Sequence, residues 1–322
     1  MTYRVRVALL LAAALLAPLH SGAQERYPSR PVKLVVGYPP GGSVDFMARL
    51  LADALGPKLD TAVVVDNVGG AAGSIGAARV AAAPPDGYTL LVGSSNEIVG
   101  TGVLNREQKY DGRRDFTALA LAATGPMVLL ASPGSGVRTV QQFVDVVRQN
   151  PGKFSYGSPG IGSTMHFAGE LAKQRAGLFL LHIPYRGVTP LATDLTGNVI
   201  EFGFMSPSAA VPLVQSGRLV ALGVTGHERL PQLPNLPALG ENPALAGYEL
   251  IGWIGVLAPR GVPAEVEATL KRALHAAVQD PVYRRRVQEA GGVLPTGNED
   301  FARLIEEDTA KYLSLATFAK LR

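Results

Sequence analysis

The sequence predicts an α/β protein made of two lobes. Three observations lead there. Strand and helix signals alternate along most of the chain. Residues 24–322 exceed one comfortable hydrophobic core. Three short Gly/Ser loops, at 39–45, 93–97 and 158–166, each leave a strand signal and enter a helix signal. Alternating β and α implies parallel sheets with helices on both faces. Ligands then sit at the carboxyl ends of strands, beside helix N-termini.

The elements follow in order. Val32-Lys33-Leu34-Val35-Val36 is an apolar run that predicts a buried strand. After Ser43, residues Phe46, Met47, Leu50, Leu51, Ala54 and Leu55 recur at helical spacing, and Gly56-Pro57 ends that helix. Residues 62–66 read as a strand. A glycine-rich turn leads into a helix over 74–83, which Pro84-Pro85 stops; Asp86-Gly87 turns the chain. The next strand, 88–93, runs into Ser94-Ser95, and 127–131 is another. Thr139 with Gln142 resembles a capping box for a helix reaching Gln149. Residues 154–158 form a strand entering the second Gly/Ser loop, with a helix over 163–175. Strands are expected over 179–185 and 199–204, separated by a helical segment near Leu191. A helix over 209–215 ends at Gly217 and a strand follows over 219–225. Residues 227–248, rich in Pro and Gly, read as a long surface connection. Helices over 264–278, 282–290 and 299–315 close the chain. The chain is expected to cross between lobes near Thr124–Pro126. That gives residues 1–23 as an export signal, 24–124 with 226–322 as the first lobe, and 125–225 as the second.

The export signal has Arg4 and Arg6 at its start, an apolar core over 7–17 and a cleavage site at Ser21-Gly22-Ala23. Its apolar run is too short to span a bilayer. Cleavage near Ala23 and a periplasmic location are expected. The absence of Cys excludes disulfides, thiolate metal sites and a lipidated N-terminal Cys. Losing Arg4 and Arg6 leaves 28 basic groups against 26 acidic ones. Arg284-Arg285-Arg286 is the densest basic run and reads as a solvated face, so no nucleic-acid partner is expected. A monomer is expected.

Gly37-Tyr38-Pro39-Pro40-Gly41-Gly42-Ser43-Val44-Asp45 is the most informative stretch. A glycine-rich turn entering a helix aims unpaired N–H groups at one point, where the helix dipole adds positive charge. Such a turn suits a carboxylate or phosphate. It holds no nucleophile beside a base. Asp45 has a structural reading, as a first-turn acid, and a ligand reading; Ser43 could cap the helix or face the anion. Gly69, Gly70, Gly73 and Gly76 miss the G-x-G-x-x-G spacing, so close packing is the favoured explanation. No Walker loop, nucleophile elbow or H-E-x-x-H is present. No cofactor and no metal are therefore expected. His166, beside Ser163 and Thr164, could be structural or a ligand contact, and His182 reads as core. The lone Trp253 reads as packing.

A set of ordered motifs goes further. It comprises Tyr27-Pro28-Ser29-Arg30-Pro31, Pro39 to Asp45, Val64-Val65-Asp66-Asn67, Pro85-Asp86-Gly87-Tyr88-Thr89-Leu90 and Gly162-Ser163-Thr164-Met165-His166 with Ala168-Gly169-Glu170. Ile183-Pro184-Tyr185-Arg186-Gly187, Leu233-Pro234-Asn235-Leu236-Pro237 and Gly247-Tyr248-Glu249 complete it. With these the chain resembles the solute-binding receptors of tripartite tricarboxylate transporters, the Bug-type or TctC-like family. The resemblance implies a type II periplasmic-binding fold, two α/β lobes with a ligand cleft between them. It implies a small carboxylate ligand held by backbone N–H groups and small hydroxyls at Gly41, Gly42, Ser43, Ser158, Gly160, Ser163 and Thr164. Asp45, Ser94, Ser95, His166 and Ser206 complete the expected contact set. Membrane subunits of a transporter would read the closed form.

Three departures bear on the ligand. Asn96-Glu97-Ile98 stands where the family often has small polar residues and a His. Met205 replaces a common Asp, and Ile161 a common Asn. An apolar wall with an extra acid favours a monocarboxylate, an aromatic acid or an amino-acid-like zwitterion over citrate, since Glu97 would repel a second carboxylate and pair an ammonium. The rival readings are a periplasmic sensor for a signalling partner and an exported enzyme using the same cleft; no nucleophile–base pair or metal spacing supports the enzyme.

Overall fold

A computed structural model describes residues 27–321 apart from 106 and 298, so the expected signal at 1–23 lies outside the described residues. Ten strands build two five-stranded sheets. The first contains β1 (Val32–Val36), β2 (Val63–Asn67), β3 (Thr89–Ser94), β4 (Phe116–Gly125) and β10 (Gly252–Pro259), in the order β2-β1-β3-β10-β4. The second contains β5 (Val128–Ala131), β6 (Ser155–Ser158), β7 (Leu181–Pro184), β8 (Phe202–Met205) and β9 (Val220–Val224), in the order β7-β6-β8-β5-β9. β1 runs parallel to β2 and β3, and β6 parallel to β7 and β8. One strand in each sheet runs the other way: β10 against β3 and β4, β5 against β8 and β9. The two sheets thus repeat one plan. The chain leaves the first sheet after β4, enters the second with β5, and returns with β10.

The continuous apolar run of β1 is explained by cover on both faces, as in other parallel sheets. Leu34 and Val36 face Met47, Leu51 and Leu55 of α1 (Ser43–Leu59) and Leu270 and Leu274 of α8 (Ala264–Val278). Val35 and Leu91 face Ala77 and Val80 of α2 (Ser74–Ala81). In the second sheet, Leu129 and Phe202 meet Phe143, Val144 and Val147 of α4 (Val140–Gln149). Val128, Leu130 and Met205 meet Leu191 and Leu195 of α6 (Val188–Thr196) and Ala210 of α7 (Pro207–Gln215). Thr139 caps α4 by accepting from Gln142 N–H at 3.1 Å; Gln142 returns its side-chain oxygen to Arg138 N–H rather than to Thr139, so the box is half formed.

Two strands went unread in the sequence. β4 is rich in Ala and Thr, and Ala is a weak strand former. β10 is interrupted by Gly252 and Gly255, and a Cβ on Gly255 would collide with the Phe301 ring. The long connection after β9 also differs from expectation. Leu230, Leu236 and Ala238 enter the core of the second sheet, Val224 N–H donates to Pro237 O at 2.9 Å, and Tyr248 Oη donates to Ala168 O at 2.9 Å. Residues 230–248 therefore pack against the second sheet, and the chain re-enters the first sheet at Gly252.

Trp253 on β10 is 2 % exposed and meets Phe301 edge-on at 5.0 Å. Its Nε1–H donates to Asp308 Oδ2 at 2.8 Å, pinning α10 (Phe301–Phe318) to the sheet. Burial pushes the Asp308 carboxyl up, with Lys311 and Trp253 opposing. Trp253→Phe leaves this acid short of a donor and is expected to destabilise the protein by about 1–3 kcal/mol in urea unfolding; an unchanged midpoint would show that the bond contributes nothing.

Candidate functional site

The parallel strands end on one edge of each sheet, and the three Gly/Ser loops emerge there. β1 hands over to α1 through residues 37–42. Gly42 occupies the N-cap position and Ser43 is the first helical residue, one place later than the cap reading of Ser43. Phe46 N–H makes the first helical bond, to Gly42 O at 2.9 Å. The amides of Gly42, Ser43, Val44 and Asp45 precede it and are the helix's free donors. Gly41, Gly42 and Ser43 are exposed, and among the described residues the Ser43 hydroxyl has no partner.

Asp45 lies behind this turn rather than in front of it. It is 3 % exposed. Its Oδ2 accepts from Gly41 N–H (2.9 Å) and Arg49 Nε (3.0 Å), and its Oδ1 from Arg49 Nη2 and Asn67 Nδ2 (both 2.9 Å). Asn67, at the end of β2, also donates to Tyr38 O at 3.0 Å. The hydrogen bonds from Arg49 lead in holding the Asp45 carboxyl down to about 2. Both oxygens are engaged, so Asp45 positions the turn and offers nothing to a ligand; the ligand reading of Asp45 is corrected. Its charge is matched by Arg49, so it does not cancel the helix dipole.

The matching loop in the second lobe is engaged internally. Ser158 Oγ lies 2.7 Å from His182 Nε2 and 3.1 Å from Gly160 O, and accepts from Gly160 N–H at 3.3 Å. Ser163 caps α5 (Thr164–Ala176), accepting from His166 N–H at 3.2 Å while donating to Gly160 O at 2.8 Å. Gly162 N–H donates to His166 Nδ1 at 3.1 Å, so the His166 proton sits on Nε2. Burial holds His166 down to about 4 and His182 to about 3, and the two rings stack at 3.9 Å. His166, 1 % exposed, shapes the loop from inside and is not placed to touch a ligand. Ser206 caps no amide; its hydroxyl lies 3.2 Å from that of Ser208.

The lobes touch where β3 ends. Ser95 Oγ lies 2.9 Å from Thr164 Oγ1, and Asn96 Oδ1 accepts from Thr164 N–H (3.0 Å) and Thr164 Oγ1 (2.9 Å). A Cβ on Gly100 would collide with Gly162 O, so only glycine permits this approach. Ser94 turns inward instead. Its N–H and hydroxyl donate to Glu97, whose Oε2 also accepts from Tyr38 Oη at 2.6 Å. Glu97 is fully buried and burial pushes its carboxyl up, with the Ser94 and Tyr38 bonds opposing. Its oxygens are covered by Ser94 and Tyr38 rather than open to the cleft, which removes it as a partner for an ammonium group. Met205 is likewise fully buried and forms no cleft wall. Ile161 does stand clear, at 64 % exposure.

Of the expected contact set, Gly42 and Ser43 belong to the free donor cluster, while the Gly41 amide is committed to Asp45. Ser95, Thr164, Ser158 and Ser163 have their hydroxyl protons engaged inside the protein, and the Gly160 amide is taken by Ser158. Asn67, Arg49 and Tyr38 were not singled out as site residues. The Asp45–Arg49 spacing of four on a helix was the legible signal for one of them. The glycines at 69–76 serve packing: a Cβ on Gly76 would lie 2.8 Å from Gly37 Cα. Among the described residues, no group of three His, Cys, Asp or Glu could hold a metal, and no helix is long and apolar enough to cross a membrane.

Residues 47–318 match the family described as the tripartite tricarboxylate transporter family receptor. The chain belongs to this family. Its members are periplasmic solute-binding receptors. A protein from the tcbD-tcbE intergenic region of Pseudomonas sp. (strain P51) is 37% identical over 90% of this receptor and 87% of its own length. The fold matches a Rhodopseudomonas palustris protein solved with adipate, with a TM-score of 0.79, 31% identity and coverage of 91% and 98% of the two chains. MatC from the same organism, solved with bound malate, gives a TM-score of 0.76 at 27% identity over 90% of the receptor and 99% of MatC. The type II periplasmic-binding architecture expected from the sequence is thus the one observed.

Asp45 makes the receptor sensitive to acid. Its folded-state value lies below the unfolded one of about 3.9, so its contribution is complete above pH ~4 and lost as pH falls toward 2. Asp45→Asn is expected to cost about 1–3 kcal/mol at pH 7 and to flatten the stability curve below pH 4 in urea titrations. A variant with the wild-type acid limb would sink this role.

Proposed function

We propose that this receptor captures a small organic carboxylate between its lobes and delivers it to the membrane subunits of a tripartite transporter. On this reading the chain is exported, its signal is cleaved near Ala23, and it works in the periplasm. The single observation that carries the ligand class is the cluster of free amides from Gly42 to Asp45, with the exposed Ser43 hydroxyl beside them. Four donors at a positive helix end, beside an acid already neutralised by Arg49, suit an anion that needs no Arg or Lys of its own. The adipate and malate held by the relatives support a carboxylate. The exposed Ile161 and the prolines at 39 and 40 favour apolar carbon beside it. The receptor turns nothing over on this reading: its work is differential affinity for a closed arrangement of the lobes.

Ser43 allows a direct test, because proline is tolerated at the first helical position and Gly42 already has extended backbone angles (φ −80°, ψ 171°). Ser43→Ala removes a hydroxyl; Ser43→Pro removes the hydroxyl and an amide donor together. Calorimetry against hexanoate, benzoate, adipate, malate and citrate is expected to find binding by the mature protein. Ser43→Ala should lose about 1 kcal/mol and Ser43→Pro about 2–3 kcal/mol, with the fold intact. Folded protein that binds none of these acids, or a Ser43→Pro variant that binds like wild type, would refute the amide clasp.

A further inference from the structure

Asn96 carries a consequence beyond carboxylate capture. It is half-buried between the fully covered Ser95 and Glu97, and so is the member of that run that faces the space between lobes. Thr164 N–H is a donor, so the Asn96 atom 3.0 Å from it is the carbonyl oxygen. That oxygen has no proton to give, so the Thr164 hydroxyl donates to it as well, at 2.9 Å. The Ser95 hydroxyl must then donate to Thr164. Three groups from two lobes form one directed chain, Ser95 to Thr164 to Asn96. It ends on an oxygen held by the amide and the hydroxyl of the first residue of α5.

A carboxylate oxygen arriving at the N-terminus of α5 would take those same two donors. In this protein a side chain of the first lobe already holds them. Among the described residues the amides of Gly42 to Asp45 have no such side-chain acceptor: Asp45, the acid nearest to them, takes the Gly41 amide and otherwise faces Arg49 and Asn67.

Resting on the carboxylate reading above, we infer that Asn96 is a specificity-determining residue: it fills the anion position at the start of α5, so the cleft accepts one carboxylate, at α1, and excludes a second. The preferred ligand is then an acid with one carboxylate and a neutral, largely apolar remainder. A plain tether between lobes predicts something else. Losing a tether changes the affinity of every ligand by a similar factor. Vacating a filled anion position changes the ratio between acids with one and two carboxylates.

Pairs of acids matched in carbon count read that ratio: butyrate with succinate, hexanoate with adipate, benzoate with phthalate, each titrated by calorimetry into the mature protein. Wild type is expected to bind the monoacid of its best pair at least tenfold tighter than the diacid. Asn96→Ala should shift that ratio at least tenfold toward the diacid. Asn96→Ser, too short to reach Thr164, is the second variant should Asn96→Ala fail to fold, and is expected to behave alike. Asn96→Asp keeps an acceptor in place, adds a charge and should retain the exclusion. A wild type that binds diacid and monoacid equally, or Ala and Ser variants that weaken both by the same factor, overturns the role of Asn96 and leaves the α1 clasp standing. Binding of no acid by wild type or any variant overturns the clasp reading, and this inference with it.

Discussion

The arrangement at the start of α1 depends on one ion pair, in which a buried carboxylate meets a half-exposed guanidinium. Four amides converge there only because residues 38–42 are held in place, and Asp45 is what holds them. It ties Gly41 in front of it, Arg49 one turn on, and Asn67 from the neighbouring strand, while Asn67 ties Tyr38. A carboxylate at the first turn of a helix would ordinarily compete with an incoming anion for the dipole. Here the bidentate Arg49 neutralises it, so the amides in front keep a positive potential. The acid builds the anion site without occupying it.

Proton accounting separates the two lobes. A serine hydroxyl has one proton to donate. Ser94 gives its proton to Glu97, Thr164 to Asn96, Ser95 to Thr164, and Ser163 to Gly160 O. Ser43 remains. A carboxylate needs donors, so hydroxyls that read alike in sequence are not equivalent in space. The α1 turn offers an open set and the start of α5 a closed one. Any ligand must reach the second lobe through the few groups left over, among them the exposed apolar Ile161.

Much of this was legible beforehand. The buried strand at 32–36, the Gly/Ser junctions and the parallel order follow from apolar runs and turn residues, which are local signals. The free amides at 42–45 were legible for the same reason: glycines before an amphipathic helix leave the first amides without partners. The strands at 116–125 and 252–259 were not, because Ala and Gly carry little strand preference and their fate is set by partners far along the chain. The inward turn of Ser94, the burial of Glu97 beneath Tyr38 and the reach of Asn96 across the lobes are also long-range. Nothing in the run Ser-Ser-Asn-Glu says which of four polar side chains faces a cleft. That choice is made by the turn at 96–100 and by the closeness of Gly100 to Gly162.

The same closeness bears on how the lobes can move. Phe167 of α5 packs against Tyr312 of α10 with tilted rings 4.4 Å apart, beside the Gly100–Gly162 approach and the Thr164 bonds. The strand crossings at residues 125–128 and the return into β10 lie near it, since Gly252 neighbours Gly125, Ser95 and Thr164. Apolar packing and hydrogen bonds are thus concentrated along one side of the interlobe space, whereas the α1 turn and Ile161 are exposed. Groups that are already bonded across the seam gain nothing from a ligand. A ligand shifts an equilibrium only by its differential affinity for the two arrangements, so the exposed side, where amides and apolar surface are still uncovered, is where that difference must arise.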